Sequence, residues 1–434
     1  MKESNYNFYV NEGKIVLLYN AFTQAYLMLS EKSFAIFQSH LKSLNELESV
    51  NYKFYNTLVE NGFIIPNDFD ELNQYLNFRL KRKFTTNLYE LIVNPTMDCN
   101  LNCWYCYETH ETGSKMTDDM INSLINHIKN RYKQERFESF SLSFFGGEPL
   151  LRNNAIETII SETKTFTDQN NISLHVSFTT NATLVKKSML ELLKNVKTTF
   201  QITIDGNEQV HNSIRHFKNS KKSTYSLILE KVKLIQDNLK ECNIAIRINY
   251  NQDTLKLLKN TIDDLDFADR EKVRISMHRI WQVNPGEIVW KDILNFTEYA
   301  KSKGFEVSFM DFEQSGVGCY ANNYSQAIIN YDGRVFKCTA RDFKNIEADG
   351  ILNPSGEIVW NEQKLSNRLH AELPKMCLEC KFLPSCAGLC SQKNIEGVSD
   401  NQCMMNSKIS IEDYIVYNFN KYGSKLIAQD TITK

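Results

Sequence analysis

The sequence predicts an α/β protein built on a partial (β/α)6 barrel, with a small mixed module before it and a loop-rich segment after it. Three observations predict this. Between about residues 88 and 310, strand-like and helix-like periods alternate six times, and such alternation implies parallel strands with right-handed crossovers. Six units are too few for a closed eight-stranded barrel, so the sheet is expected to stay open. The eleven cysteines crowd, with three between 99 and 106 and seven between 319 and 403, and the second group sets the last segment apart.

Residues 1–80 open with strand-like runs at 7–10 and 14–19, followed by helical periods at 33–41 and 50–61. They close on Gly62-Phe63-Ile64-Ile65-Pro66, a glycine stop, a short strand and a proline. Strands, helices and a terminal hairpin resemble a small winged-helix module. The basic run 77–84 is expected to be a solvated connector, with a binding patch as the alternative. Across 88–310 the candidate strands are 89–93, 140–145, 174–179, 200–204, 244–250 and 273–280. Helical patterns fall at 117–133, 151–168, 184–195, 224–239, 255–266 and 290–303. The segment 311–410 lacks long apolar periods and could not readily bury a sufficient core alone, a situation in which metal centres commonly substitute. Residues 411–434 are expected to be a C-terminal helix.

The 434 residues suit two or three domains, and 42% hydrophobic with 24% charged residues describe an ordinary folded chain. Fifty Lys+Arg against 52 Asp+Glu argue against a protein that holds nucleic acid by phosphate neutralisation. No stretch approaches the ~20 apolar residues of a membrane span, and the first residues lack a secretion signal. A cytoplasmic location without nucleic-acid or membrane partners is expected. Cytosolic thiols stay reduced, so clustered cysteines point to metal ligands rather than disulfides.

After the first strand comes Cys99-x3-Cys103-x2-Cys106. Three thiolates in one tight loop can hold three irons of a [4Fe–4S] cube and leave the fourth iron open. Zinc is the alternative, but it normally wants four close ligands or a spaced second pair. The second strand runs into Gly146-Gly147-Glu148-Pro149, where two glycines admit close backbone approach and the Glu can accept from an ammonium. Active sites of parallel sheets lie at the strands' C-terminal ends, where both motifs fall.

With these residues the chain resembles the radical S-adenosylmethionine (SAM) superfamily across 88–310. The resemblance implies that the open iron chelates SAM and that reductive cleavage gives a 5′-deoxyadenosyl radical, which takes a hydrogen atom from substrate. It implies Tyr105 near the adenine and Gly146, Gly147 and Glu148 at the methionyl ammonium, with Pro149 the last residue of that SAM-binding motif. Thr179-Thr180-Asn181-Ala182-Thr183-Leu184 resembles the family's TNGTLL segment, with Ala182 in place of glycine. Gln201-Ile202-Thr203-Ile204-Asp205-Gly206, with His211 and Arg215, resembles its SIDGP…HD…R segment, with Thr203, Asn207 and Asn212 departing. By that resemblance Asn181 is a SAM-site candidate, a turn-forming role being the alternative. Thr203 and Arg215 are candidates for the SAM carboxylate, which an arginine fork matches; a surface ion pair is the other reading of Arg215.

The later cysteines run Cys319-x13-Gly333-x4-Cys338, then Cys377-x2-Cys380-x5-Cys386-x3-Cys390, then Cys403. Two clusters fully held by Cys need eight thiolates, and seven leave one place vacant, while two zinc sites also fit the spacing. The pattern resembles the seven-cysteine SPASM domain of peptide-modifying radical SAM enzymes. That resemblance implies three [4Fe–4S] clusters in all. Cys319, Cys338 and Cys390 would hold an inner auxiliary cluster, and Cys377, Cys380, Cys386 and Cys403 an outer one. Cys242 is expected to be inert.

Resemblance to SPASM enzymes further implies a ribosomally made precursor peptide as substrate and a low-potential electron donor, flavodoxin or ferredoxin. The 1–80 module resembles leader-peptide recognition domains. The expected reaction is an intrapeptide crosslink, thioether or carbon–carbon, with a substrate cysteine suited to the vacant inner iron. The alternative is an anaerobic sulfatase-maturing enzyme that makes formylglycine from Cys or Ser. That family carries an Asp directly after the second auxiliary cysteine, whereas Cys338 is followed by Thr339-Ala340-Arg341-Asp342. No catalytic base is assigned; Glu313, Tyr320 and Asp342 are candidates by position only.

Overall fold

The computed structural model describes residues 1–280, 290–309, 318–397, 403 and 410–429. By its contacts the chain falls into two units, one holding Met1–Phe84 with Asp311–Tyr320 and His370–Lys434, the other Thr85–Met310 with Ala321–Leu369.

In the first unit, β1 (Lys2–Glu3), β2 (Asn7–Glu12), β3 (Ile15–Asn20) and β4 (Tyr26–Ser30) precede helices Glu31–Ser39, Leu44–Val50 and Tyr52–Glu60. The expected strands 7–10 and 14–19 lie in β2 and β3, which form an antiparallel hairpin closed between Glu12 and Ile15. Gly13 takes φ +66° in its two-residue loop, a conformation that such tight turns demand. Strand β4, which the sequence reading missed, pairs antiparallel with β3. Ser30 ends it by capping the next helix, accepting from the Ser33 N–H. Leu18, Leu27, Phe37, Phe54 and Phe63 bury together, so the sheet and helices share one core.

Two expectations for this module change. The strand after Gly62, β5 (Ile64–Ile65), closes no local hairpin and pairs antiparallel with β1. The basic run, expected to be a solvated connector, is largely exposed and takes the form of the last turns of a helix, Glu71–Lys83. Asp70 caps that helix, and Lys81, Arg82 and Lys83 sit at its C-terminal, dipole-negative end.

The second unit holds the large sheet. Strands β6 (Leu88–Asn94), β7 (Ser139–Phe144), β8 (Ser173–Thr180), β9 (Lys197–Thr203), β10 (Cys242–Tyr250), β11 (Val273–Arg279) and β12 (Val307–Phe309) follow one another in parallel. The succession therefore has seven strands, not six. β12 is three residues long, too short to show a period. Phe144, Phe178 and Phe200 stand in register and stack at 5.3 and 4.9 Å, fixing the strand ends that carry the motifs.

The segment 311–410 is not one body of its own. Its β13 (Gln326–Asn330) adds in parallel beside β6, and β14 (Arg334–Phe336), β15 (Gly350–Leu352) and β16 (Ile358–Trp360) continue the sheet antiparallel. Residues 370–397 belong to the first unit instead. A loop-rich segment with little apolar surface buries it best against larger neighbours. The expected C-terminal helix spans Ile411–Leu426, and a strand, β17 (Ile427–Gln429), follows it without a linker. Among the described residues no helix is long and apolar enough to cross a membrane.

Candidate active site

At the C-terminal ends of the parallel strands lies a cavity of about 150 Å³. Cys99, Cys103 and Cys106 line it together with Tyr105, Gly146, Gly147, Glu148, Asn181, Thr203 and Arg215. Ten of the expected site residues thus meet the cavity with two unforeseen arginines, Arg247 and Arg279, beside them. Pro149 does not line it. It is the buried first residue of a 3-10 turn, where its missing N–H costs nothing.

The cysteine loop is held from both sides. Asn100 donates to the Thr183 hydroxyl at 2.9 Å and accepts from the Asn181 amide at 2.8 Å. On the other flank Leu101 bridges Phe217 antiparallel, while the Asn102 N–H reaches the His216 carbonyl and the Lys218 N–H reaches Asn100. Leu101 N–H also donates to Cys99 Sγ at 3.5 Å, which favours a thiolate there. Burial pushes the thiols up, Cys99 to about 12 and Cys106 to about 11. Holding them ionised takes a nearby positive centre, which fits metal ligation. Among the described residues no three such side chains stand already closed at metal-holding distance. Cys106 Sγ turns instead to His110 Nε2 at 3.6 Å.

Glu148 is fully buried, and both carboxylate oxygens are taken. The Thr180 hydroxyl and Leu150 N–H donate to one at 2.7 and 3.0 Å, and the Asn181 N–H donates to the other at 2.8 Å. The carboxylate therefore joins the end of β7 to the end of β8. The adjacent glycines serve chain packing: a Cβ on Gly147 would stand 2.2 Å from the Asp98 carbonyl oxygen, and one on Gly146 2.5 Å from that of Thr96. This close approach seats the segment leading into the cysteine loop against β7. Asn181 makes an Asx turn, its side-chain oxygen accepting from the Thr183 N–H and hydroxyl. Ala182 follows in the left-handed region, φ +62°, where the family's glycine stands.

Tyr105 reaches down from the loop into a polar node. Its hydroxyl donates to Asp205 and accepts from Arg215 Nη1 at 2.8 Å and the Asn249 amide at 3.0 Å. Asp205 also accepts from the Asn249 N–H at 3.1 Å and lies 3.9 Å from Arg215. Burial raises the Asp205 carboxyl and Arg215 opposes that rise. Arg215 is buried, not a surface ion pair, and its Nε has no hydrogen-bond partner. An orphaned guanidinium N–H beside a cavity is a ready donor to a carboxylate. Asp205, Arg247 and Asn249 were missed as site residues. The signal was present in β10, where polar residues two apart interrupt an otherwise apolar parallel strand and must share one face.

Glu108, also missed, lines the cavity as a buried carboxyl with one oxygen unpartnered. Burial and then Asp342 push it up to about 8. Asp342 is no free base: it accepts from the Thr109 N–H and hydroxyl at 3.0 and 2.7 Å and from Asn345 at 2.6 Å. Burial raises its carboxyl, but these bonds outweigh that and leave it below the usual range. Tyr320 begins a short 3-10 turn, and Glu313 lies outside the described residues.

The later cysteines divide between the units. Cys338 is buried in the second, while Cys319, Cys377, Cys380, Cys386, Cys390 and Cys403 belong to the first. Cys377, Cys380 and Cys403 all bear on the Cys386 thiol, which burial first and then these neighbours push up to about 11. Phe382 N–H donates to Cys380 Sγ at 3.4 Å. Arg79 donates to the Ala387 carbonyl, and the Tyr19 hydroxyl meets Ser385 at 2.6 Å, so the turn rests on the N-terminal module. Cys242 sits at the N-terminal end of β10, away from the site end, with its thiol on the Leu239 carbonyl at 3.5 Å.

Residues 93–265 match the model of the radical SAM superfamily. The radical SAM cyclopropyl synthase TigE of Paramaledivibacter caminithermalis is 24% identical over 379 residues, 77% of this chain and 75% of its own length. A cysteine-type anaerobic sulfatase-maturating enzyme of Clostridium novyi is 27% identical over 348 residues, 72% of this chain and 91% of its own. Among solved structures, Streptococcus suis SuiB bound to precursor peptide SuiA matches with TM-score 0.52 at 16% identity, covering 94% of this chain and 99% of that one. At that identity the likeness speaks for the fold.

Proposed function

Because residues 93–265 make this chain a radical SAM protein, related to peptide maturases, we propose that it installs an intrapeptide crosslink, thioether or carbon–carbon, in a ribosomally made precursor peptide. The observation that carries the reading is the cavity itself, where three thiols of one loop face the buried Arg215 with its unpaired Nε. A [4Fe–4S] cluster and SAM, when bound there, supply a 5′-deoxyadenosyl radical that takes a hydrogen atom from substrate. Cys99, Cys103 and Cys106 would hold the cluster. Arg215, steadied by Asp205 and Tyr105, would bind the SAM carboxylate with Thr203 beside it. Glu148, whose oxygens already hold three donors, would keep the loop in place and leave the ammonium to the backbone of Gly146 and Gly147.

Cys377, Cys380, Cys386 and Cys403 would hold an outer auxiliary cluster, and Cys319, Cys338 and Cys390 an inner one with an open iron, three clusters in all. A low-potential one-electron donor, flavodoxin or ferredoxin, would serve it. Residues 1–84, read as a winged-helix-like leader-recognition module, would take the peptide's leader by strand addition. The breadth of the SuiB match supports this, since it extends over 94% of the chain. Reduced, iron-reconstituted protein incubated with SAM and the small peptide encoded beside its gene should lower the peptide mass by two hydrogens. An unchanged mass despite SAM cleavage overturns the reading.

The similarity to the Clostridium novyi enzyme favours a second reading, formylglycine formation on a Cys or Ser peptide. Against it, the nearest acid after Cys338 is Asp342, whose carboxylate is tied to Thr109 and Asn345. An aldehyde product on a sulfatase-type peptide would establish it.

A further inference from the structure

The sheet of the N-terminal module does not end on its own third strand. Beyond β4 it carries β17, paired in parallel with Ile427 opposite Tyr26, Ala428 opposite Leu27 and Gln429 opposite Met28. Both faces of β4 are already covered. Leu27 and Leu29 bury in the module's core, while Tyr26, on the other face, meets Tyr19 at 4.6 Å and Phe419 of helix Ile411–Leu426 at 5.6 Å. What β4 has left to offer is its edge, a row of backbone donors and acceptors that templates any extended chain.

β17 is a weak ladder held by a strong tether. It pairs over three residues, and parallel pairing is slightly less stable per residue than the antiparallel pairing of β2, β3 and β4. The helix that delivers it is anchored by Phe419 on Tyr26 and Tyr414 on Phe382 at 4.9 Å, and it ends at Leu426, directly before the strand. A short segment so delivered has a high effective concentration at the edge but little intrinsic affinity for it. That combination lets an extended peptide with a longer ladder replace it.

We propose that β17 is a placeholder on the β4 edge, and that the extended leader of the peptide substrate docks there by displacing it. The inference rests on the reading of residues 1–84 as a peptide-recognition module and adds the site and its competitor. Filling the edge blunts a strand that would otherwise pair with other chains. It also lowers leader affinity by the fraction of time the edge is covered.

The test uses two labelled probes, a fluorescein-tagged peptide of residues 424–434 and the precursor peptide encoded beside the gene. A chain ending at Leu426 should bind the tail peptide saturably, and the full chain should bind it at least about 10-fold more weakly. The precursor should displace the tail peptide and bind the shortened chain about 10-fold more tightly than the full one. Full-length Ala428→Pro, which puts a proline in the middle of the three-residue ladder without shortening the chain, should tighten precursor binding in the same direction. No binding of the tail peptide to the shortened chain, or equal precursor affinity in the full, shortened and Ala428→Pro chains, overturns the proposal. A tail peptide that binds but is not displaced by precursor overturns leader docking at this edge. Failure of the peptide-maturase reading would show separately, as an unchanged peptide mass.

Discussion

The Tyr105 hydroxyl, carried by the cysteine loop, donates to the Asp205 carboxylate just beyond β9. The contact joins the cysteine loop to the end of β9, and Arg215 and Asn249 share it. Tyr105→Phe keeps the ring but leaves buried partners unsatisfied, so it should cost about 1–3 kcal/mol of stability. Asp205→Asn leaves Arg215 buried without its counter-charge and should cost about 3 kcal/mol or more. Denaturant midpoints measure both, and SAM affinity by calorimetry should weaken in both. Unchanged SAM affinity would show that the node does not orient Arg215.

Gly147→Ala places a methyl against the Asp98 carbonyl, a backbone atom that cannot swing aside. The expected cost is about 1–3 kcal/mol, expressed as displacement of the segment that seats Cys99. Iron bound after reconstitution should fall relative to the wild type while the far-ultraviolet spectrum stays the same.

Ala182→Gly should stabilise the fold. Its φ of +62° costs an L-residue roughly 1–2 kcal/mol, which exceeds the roughly 0.5–1 kcal/mol entropic cost of glycine. Thermal unfolding should shift up by a degree or more, and no shift would mean that the buried methyl packs well enough to offset its strain.

His127 gives the second unit a pH dependence. Its ring nitrogens meet the Tyr89 hydroxyl at 2.6 Å and the Gly356 carbonyl at 3.0 Å, and burial holds it down to about 4. The unfolded chain takes up this proton near pH 6.5 and the folded one does not, so stability is complete above 6.5 and falls toward 4. Between pH 6.5 and 5 the loss is about 2 kcal/mol from this group. Urea midpoints across that window should slope less steeply in His127→Gln.

Iron counting separates the cysteine sets. The three proposed cubes would together hold about 12 irons per chain. Replacing Cys99, Cys103 and Cys106 with Ala should leave about 8, as should replacing Cys377 and Cys380, while Cys242→Ala should leave the full count. An unchanged count in the Cys377/Cys380 variant would remove the outer cluster.

Much of the site could be read before any fold was known, because ligand spacing is a local property. Cys99, Cys103 and Cys106 stand within one loop, and Gly146 to Glu148 and Arg215 fall after strands whose apolar periods are plain. Asp205 and Asn249 were harder, since the hydroxyl that unites them with Arg215 comes from Tyr105, more than ninety residues earlier in the chain, and Arg247 joins them through Asn249. β12 and β17 escaped because three residues carry no period. The alternation of strands and helices and the cysteine counts were determined by sequence alone, as both depend on near neighbours. Which side Glu148 faces, that its oxygens are already filled, that 311–410 divides between two units, and that β17 lies on β4 were decided only by tertiary structure. The physical reason is the same in each case: a buried polar atom or an open strand edge takes whichever partner the folded chain brings to it, however far away in sequence that partner lies.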